Sequence, residues 1–190
     1  MTSEAKSSLR GFTLVEALIV VVIIGLVAAI ALPRIGTSRY TMNAAARSIT
    51  GTLSYAQRMA ISQQANINVA FDAAQRSLRI HEDRDNDLAI DAGERVTVTP
   101  LAEGVTFGRG GAAPRPFGGG VIQLVRTQVG LPVLIFRRDG TVSEQGGFYI
   151  TTISGLATGR VTDVRAVEFS RATGRTTWFS YATSTWKRGD

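Results

Sequence analysis

The feature that most constrains this chain is an apolar segment close to its amino terminus. Residues 17–32 read ALIVVVIIGLVAAIAL and include no charged residue. Counted from Phe12, the segment has 21 residues and is interrupted only by the polar Thr13 and Glu16. A helix of that length measures about 31 Å, which is the hydrocarbon thickness of a bilayer. The pattern therefore predicts a transmembrane helix over residues 12–34, which Arg34 closes.

The residues in front of this segment indicate its orientation. The leader MTSEAKSSLRG is polar and carries Lys6 and Arg10. Positive residues beside a single apolar span hold that flank in the cytoplasm. We therefore expect a single-pass protein with a cytoplasmic amino terminus and the rest of its chain on the other side of the membrane.

Three interpretations of the segment compete. It can be a secretory signal peptide of a secreted enzyme or binding domain, since Ala29-Ile30-Ala31 resembles a small-residue cleavage site, or it can be a plain signal anchor. In the third interpretation the carboxylate of Glu16 is functional. An acid within lipid costs roughly 2.5–3.5 kcal/mol on insertion scales, and such a residue marks a functional site by default.

The string RGFTLVEALIVVVIIGLVAAIALP resembles the prepilin-type amino terminus that type IV pilins share with the pseudopilins of type II secretion. The resemblance implies that a membrane aspartyl peptidase cuts between Gly11 and Phe12, and that the new Phe12 amine is N-methylated. It also implies that Glu16 is the assembly glutamate, which attracts the amine of a neighbouring subunit, and that Pro33 kinks the helix. Residues 1–11 would then be a cytoplasmic leader, and the protein would lie in the inner membrane with a periplasmic carboxy-terminal domain.

The sequence predicts that the helix continues on the periplasmic side through residues 35–65. Apolar residues recur there at helical spacing on one face, namely Met42, Ala46, Ile49, Leu53, Ala56 and Ala60. After Ala65 the pattern changes to short β-rich runs separated by turn residues, with no further helix expected. We expect strands at residues 66–71, 77–81, 95–99, 121–125, 132–136, 148–153, 164–169 and 176–182.

Residues 66–190 are predicted to form a β-rich globular domain. Parts of the chain resemble the GspH/FimT-like minor pseudopilins, namely SYAQRMAI at 54–61, NINVAF at 66–71, IFRRDG at 135–140 and VRAVEFSRATGR at 164–175. The implied fold is α+β, a pilin-like roll in which a long helix, transmembrane in its first half, packs on an antiparallel sheet. The implied function is a minor pseudopilin, a structural subunit of the periplasmic pseudopilus in type II protein secretion.

A FimT-like minor type IV pilin that binds DNA during uptake is the alternative. That branch of the family carries a Gly-Arg-x-Arg motif, whereas this chain reads Gly174-Arg175-Thr176-Thr177 and lacks the second arginine. Basic residues near the carboxy terminus are nevertheless candidates for phosphate contacts, and Trp178 and Trp186 for base stacking. A solvated strand face is the competing explanation of the basic candidates, which are Arg160, Arg165, Arg171 and Arg175.

An acidic run at residues 81–94, HEDRDNDLAIDAGE, is the second candidate site. Counted from Asp83, carboxylates occupy positions 1, 3, 5, 9 and 12 of an EF-hand-like loop, and Ca²⁺ prefers oxygen ligands of this kind. Leu88 stands where an EF-hand has glycine, and the flanks predict strands rather than helices, so a solvated hairpin tip is the other interpretation. The predicted calcium ligands are Asp83, Asp85, Asp87, Asp91 and Glu94.

The composition excludes several catalytic classes. The chain has no cysteine, so disulfides, thiolate zinc sites and cysteine nucleophiles are impossible. It has one histidine, His81, and no nucleophile is placed near it in the sequence. We therefore expect no enzyme activity and no cofactor apart from calcium. The expected partners are other pseudopilins, the prepilin peptidase/methyltransferase and the inner membrane, and residues 108–120 are expected to form a flexible loop.

Overall fold

The computed structural model describes residues 13–31 and 37–189. The chain divides after Thr37 into two compact units, an amino-terminal unit and a globular unit. Three residues with predicted roles, Gly11, Phe12 and Pro33, lie outside the described residues.

The amino-terminal unit contains helix α1, Leu14–Ala31. Thr13 lies immediately before it, and its Oγ1 accepts a hydrogen bond from the Glu16 backbone N–H at 3.2 Å. This bond satisfies one of the donors that a helix leaves free in its first turn. Within residues 13–31 and 37–189, no helix meets the length and apolarity needed to cross a membrane.

The globular unit is organised around helix α2, Thr37–Gln63. The apolar stripe predicted on its sequence is buried along its whole length: Met42, Ala46, Ile49, Leu53, Ala56 and Ala60. The helix ends where Gln64 adopts a left-handed conformation with φ of 55°, and the Gln64 side chain donates to the Ile61 carbonyl at 2.7 Å. A left-handed residue just past the last turn is a common way to terminate a helix.

Short strands, one short α-helix and a 3-10 turn at Val161–Asp163 follow α2. Helix α3, Ile153–Thr158, begins after Thr152, whose hydroxyl accepts from the Gly155 N–H, and ends at the left-handed Gly159. In chain order the described strands are β1 (Asn66–Asp72), β2 (Ser77–Asp83), β3 (Val96–Pro100), β4 (Val105–Phe107), β5 (Ile122–Gln123), β6 (Thr127–Gln128), β7 (Leu131–Phe136), β8 (Gly146–Thr152), β9 (Arg165–Phe169), β10 (Thr176–Ala182) and β11 (Thr185–Arg188).

The strands form two sheets in which neighbouring strands are antiparallel. The first has the order β3-β2-β1-β7-β6, and the second has the order β11-β10-β9-β8-β4 with β5 also paired to β8. Residues from α2 and from both sheets share one hydrophobic core. The observed architecture confirms the predicted α+β fold, in which a helix packs on antiparallel β-structure.

Three phenylalanines connect the two sheets inside this core. The ring of Phe71 in β1 lies 4.8 Å from that of Phe148 in β8 and 6.1 Å from that of Phe107 in β4. The rings of Phe107 and Phe148 are 5.8 Å apart. These separations lie in the range favoured by aromatic pairs, which add stability beyond the area they bury.

A smaller cluster covers the other face of the second sheet and orders the segment predicted to be a flexible loop. The Tyr149 hydroxyl donates to the Gly118 carbonyl and accepts from the Arg115 N–H, both at 2.7 Å. The Arg115 side chain contacts the Glu168 carboxylate at 2.6 Å and lies 3.7 Å above the Phe179 ring. The segment 108–120 is therefore held against the sheet by specific side chains, which composition alone did not reveal.

The sequence patterns located most of the strands but missed the shortest elements. Strands are present within each of the eight predicted runs, although the fourth is reduced to β5. The six-residue helix α3 was not predicted, because so short a segment shows too little helical periodicity. Strands β4, β6 and β11 were also missed, because two to four residues are too few to show a period of two.

The aromatic contact between the sheets predicts a large effect of one truncation. Replacing the buried Phe148 by alanine should lower the free energy of unfolding by about 3–5 kcal/mol, because it removes apolar contacts and leaves a cavity. Urea denaturation followed by circular dichroism would measure this. Phe148→Leu, which retains most of the volume, should cost less than half as much, and equal losses for the two variants would contradict the role of the ring.

Candidate functional site

The first predicted site residue within the described part of the chain is Glu16. It lies exposed in the first turn of α1, three residues after the capping Thr13. The pattern Thr-x-x-Glu at a helix start is that of a capping box, and an acid in the first turn interacts favourably with the helix dipole. The Thr and Glu of the prepilin-like motif therefore also have a local structural role in starting the helix.

The acidic run forms a tight loop between β2 and β3, and three of its five predicted ligands come together. Asp83, Asp85 and Asp87 each offer a carboxylate oxygen, and the three oxygens lie within 4.8 Å of one another. Asp83 is buried, and its two oxygens accept from the Asn86 N–H at 2.7 Å and from the Asn68 side-chain amide at 2.8 Å. Calcium binding stays a prediction, with these three residues as the part of the set that the fold assembles.

Leu88 has the backbone conformation that an EF-hand reserves for glycine. Its φ is 68°, and that of Asn86 is 67°. In the sequence, Leu88 argues against an EF-hand-like loop, because a branched side chain disfavours positive φ. The chain nevertheless makes the turn, and the Leu88 N–H donates to Asp83 Oδ2 at 3.2 Å while its carbonyl accepts from the Gln128 amide at 2.9 Å.

Glu94 closes the base of this loop. Its Oε1 accepts from the Arg84 N–H at 2.9 Å, and its Oε2 accepts from the Asp91 N–H at 3.1 Å and from His81 Nε2 at 2.6 Å. These hydrogen bonds, above all the one from Arg84, lower the pKa of Glu94 to about 2. The ionised Glu94 carboxylate therefore holds the loop together at neutral pH.

His81 is a structural partner of this carboxylate. It is fully buried, and its Nδ1 lies 2.9 Å from the Gln128 side-chain nitrogen. Its Nε2 contacts the Glu94 carboxylate at 2.6 Å. Both ring nitrogens are therefore engaged inside the protein.

The predicted basic patch is divided by the fold. Arg160, Arg171 and Arg175 are exposed, whereas Arg165 is only 2% exposed. The Arg165 guanidinium donates to Asn43 Oδ1 at 2.8 Å and to the Thr162 and Val164 carbonyls at 2.9 Å. Burial lowers the pKa of Arg165 to about 10, which still leaves it charged at neutral pH. The proposed phosphate contact of Arg165 is therefore wrong for this arrangement, since its donors are used internally.

The two tryptophans are also engaged in packing contacts within the protein. Trp178 is 7% exposed within the main core. Trp186 packs on Tyr149 and Tyr181, with ring centroids 5.9 Å and 4.9 Å away, and its indole N–H donates to the Ala113 carbonyl at 3.0 Å. Base stacking on either ring would require these contacts to be given up.

Packing explains the glycine of the Gly174-Arg175 pair. Gly174 has a φ of 61°, and a Cβ atom there would collide with the Gly140 carbonyl oxygen. Gln57 of α2 donates to that same carbonyl at 2.7 Å and to the Thr173 carbonyl at 2.8 Å. The turn between β9 and β10 is thus fixed to the helix, and glycine is required for the close approach.

A buried acid that the sequence analysis missed joins the start of α2 to the second sheet. Asp163 is fully buried and accepts from the Ser38 hydroxyl at 3.0 Å and from the Thr152 hydroxyl at 2.8 Å. Arg160 lies 3.7 Å from the same carboxylate. Asp163 has no sequence motif around it, so only the three-dimensional arrangement reveals it.

The pKa of Glu94 predicts how the loop responds to acid. A carboxyl whose pKa is about 2 in the fold and 4.5 ordinarily contributes stability that is complete above pH 4.5 and is lost as the pH falls toward 2. In Glu94→Gln, protection of the Arg84 and Asp91 amides against hydrogen exchange should be weaker at neutral pH and nearly constant over that window. Glu103→Gln changes an exposed acid and should behave as the parent protein. Unchanged protection in Glu94→Gln would show that the Glu94 hydrogen bonds do not hold the loop together.

Two sequence families match the chain. The family described as the prokaryotic N-terminal methylation motif matches residues 6–32, and the type II transport protein GspH family matches residues 45–173. A comparison with curated proteins finds no match.

The solved structures that are similar to this chain include two of the minor pseudopilin EpsH from the type 2 secretion system of Vibrio cholerae. The first has 15% sequence identity and a TM-score of 0.46, and the match covers 75% of this chain and 91% of that chain. The second has 16% identity and a TM-score of 0.37, with coverages of 79% and 94%. The match to the GspH family extends over more than half of the 190 residues, and the chain therefore belongs to the GspH family of type II transport proteins.

Proposed function

We propose that this chain is a minor pseudopilin that is cleaved between Gly11 and Phe12, anchored in the inner membrane by its apolar amino-terminal segment, and built into the periplasmic pseudopilus of type II secretion. Membership of the GspH family and the methylation motif at residues 6–32 support this role. The observation that carries the assembly step is Glu16, an acid exposed in the first turn of the apolar helix α1.

The helix start gives a physical reason why cleavage and assembly are linked. Cutting after Gly11 would create an ammonium on Phe12, one residue before the capping Thr13. The first turn of a helix has free N–H groups and a partial positive charge, so a further cation there is unfavourable without a nearby carboxylate. Glu16 of an axially displaced neighbour can supply that carboxylate.

The same pair would fix the register of the filament. A carboxylate in a low-dielectric environment is tolerated when an opposite charge meets it, and it is strongly unfavourable when left alone. Uncleaved chains lack the Phe12 ammonium and cannot neutralise the acid of a neighbour. The pairing therefore selects processed subunits, with other pseudopilins as the partners of α1.

In this proposal the chain is a structural subunit and performs no reaction. It is a substrate of the prepilin peptidase and of the methyltransferase that modifies Phe12. The globular unit, built on α2 and two sheets, would stand in the periplasm. The DNA-uptake alternative has less support, because Arg165 and the two tryptophans already have partners within the protein.

The assembly role of Glu16 predicts a separation of processing from incorporation. Glu16→Ala should still be cleaved, but it should be incorporated into sheared pseudopili at least tenfold less, because the neighbouring amine loses its partner. Immunoblotting of membrane and filament fractions would measure both. Glu103→Ala removes an exposed acid of the globular unit and serves as the matched control; normal incorporation of Glu16→Ala would refute the pairing.

The cleavage site predicts a second, independent result. Gly11→Leu should block processing, because a bulky side chain at the scissile bond crowds the peptidase cleft. Mass spectrometry should find N-methyl-Phe12 as the first residue of the parent protein and the full leader on the variant. Ser7→Leu alters the leader away from the bond and should be processed normally, whereas efficient cleavage of Gly11→Leu would argue against this site.

A further inference from the structure

A groove in the globular unit lies between α2 and the outer strands of the first sheet, β2 and β3. Its volume is about 480 Å³. Small residues of α2 leave it open, because Gly51 has no Cβ and nothing lies within 4 Å of the place where one would be. The residues that define the α2–β3 groove are Gly51, Tyr55, Ile80, Glu82, Thr97 and Thr99.

The groove contains a buried carboxylate, and one of its oxygens accepts no hydrogen bond from the described residues. The Glu82 side chain is 3% exposed, and its Oε1 has no hydrogen-bond partner among residues 13–31 and 37–189. The nearest cations are Arg95 at 3.6 Å and Arg84 at 4.0 Å, with side chains that are 73% and 66% exposed. These distances exceed hydrogen-bonding range. A buried carboxylate oxygen that accepts no hydrogen bond is costly even beside two exposed arginines, so the groove favours an occupant with a cationic group that donates one.

Strand β3 beside the groove is an edge with free backbone groups. Thr97 is paired with Ile80 of β2. On one side of this pair the Glu82 N–H donates to the Arg95 carbonyl at 3.0 Å, and on the other the Leu101 N–H donates to the Arg76 carbonyl at 2.8 Å. The backbone groups of Arg95, Thr97 and Leu101 therefore face β2. Because bonded pairs alternate in an antiparallel ladder, the N–H and C=O groups of Val96 and Val98 face outward. Among the described strands, only β2 pairs with β3.

The composition of β3 leaves this edge open to strand addition. Val98 is 59% exposed, and the strand VTVTP has no lysine and no proline before its last residue, Pro100. Proteins usually protect sheet edges with charges, prolines or bulges, and unprotected edges accept extended segments.

We propose that the α2–β3 groove binds an extended segment of a different pseudopilin subunit, which adds as a strand to β3 and directs a lysine or arginine side chain to Glu82. The inference rests on the proposed function for the identity of the partner. An added strand would lie about 10 Å from the backbone of β2, two strand spacings away. An arginine or lysine side chain together with that of Glu82 spans this distance, and the exposed Arg95 can swing aside.

The test uses the full chain in detergent micelles and a synthetic probe, a short acetylated peptide of alternating threonine and valine with one central arginine. Nitrogen-15 NMR should show shifts of the Val96 and Val98 amides on titration. Glu82→Gln should weaken binding at least tenfold, as expected when a charge-assisted bond of about 1.5 kcal/mol or more is lost. Glu103→Gln is the matched control and should bind as the parent does.

Changes to the peptide test each part of the proposal without altering the protein. Replacing its arginine by glutamine should weaken binding by the same factor and abolish the difference between the parent protein and Glu82→Gln. N-methylation of the alternate amides that face β3 should abolish binding, whereas methylation of the other set should not. Equal binding of the arginine and glutamine peptides, or insensitivity to methylation, would overturn the proposal.

Two further measurements separate the proposal from its rivals. Because Glu82 Oε1 accepts no hydrogen bond from the described residues, Glu82→Gln should raise the melting temperature, and Arg95→Ala should bind the peptide at least as well as the parent. A fall in the melting temperature of Glu82→Gln would show that the arginines already satisfy the acid, which overturns the inference. Self-association of the parent protein without peptide, lost in Glu82→Gln, would identify the occupant as a second copy and would overturn the proposal of a different subunit. Failure here would leave leader cleavage and Glu16-dependent incorporation, and hence the proposed function, untouched.

Discussion

Burial of a single face of α2 is the constraint on which the globular unit depends. Two antiparallel sheets contribute their inner faces to the core that covers this helix, and α2 is the longest helix among the described residues of the globular unit. The helix therefore carries a narrow stripe of small and medium apolar residues, from Met42 to Ala60. The other faces of α2 can carry polar or small residues. A groove beside β3 therefore exists without any loss of core packing.

The two helices divide the work of a filament subunit. In α1 the hydrophobic residues from Leu14 to Val27 occupy all sides of the helix and are exposed, whereas the apolar stripe of α2 is confined to one side and buried. The first pattern suits contacts with lipid and with other copies of the same kind of helix, and the second suits a soluble domain. Glu16 is the one charged residue of this helix, and in the proposed function it gives the helix its specificity.

The sequence predicted those parts of the fold and site that depend on local pattern. The stripe of α2 and the long strands follow from spacing, and the prepilin-like string is local by nature. What it missed depends on contacts between distant residues. Asp163 binds Ser38, Arg165 binds Asn43, and Glu82 faces a groove that exists only once α2 lies beside β3. Charge counting placed Arg165 with its exposed neighbours, because nothing in a sequence reports that a guanidinium is enclosed.

The buried bonds at the start of α2 have a mechanical consequence. The globular unit begins at Ser38, and the side chains of Ser38 and Asn43 are bonded to Asp163 and Arg165 next to the sheet. A force applied at the first residues of the globular unit would load these bonds at the same time. The start of α2 would therefore resist separation from the sheet. A filament subunit that bears load through its amino-terminal segment would be strengthened by these bonds.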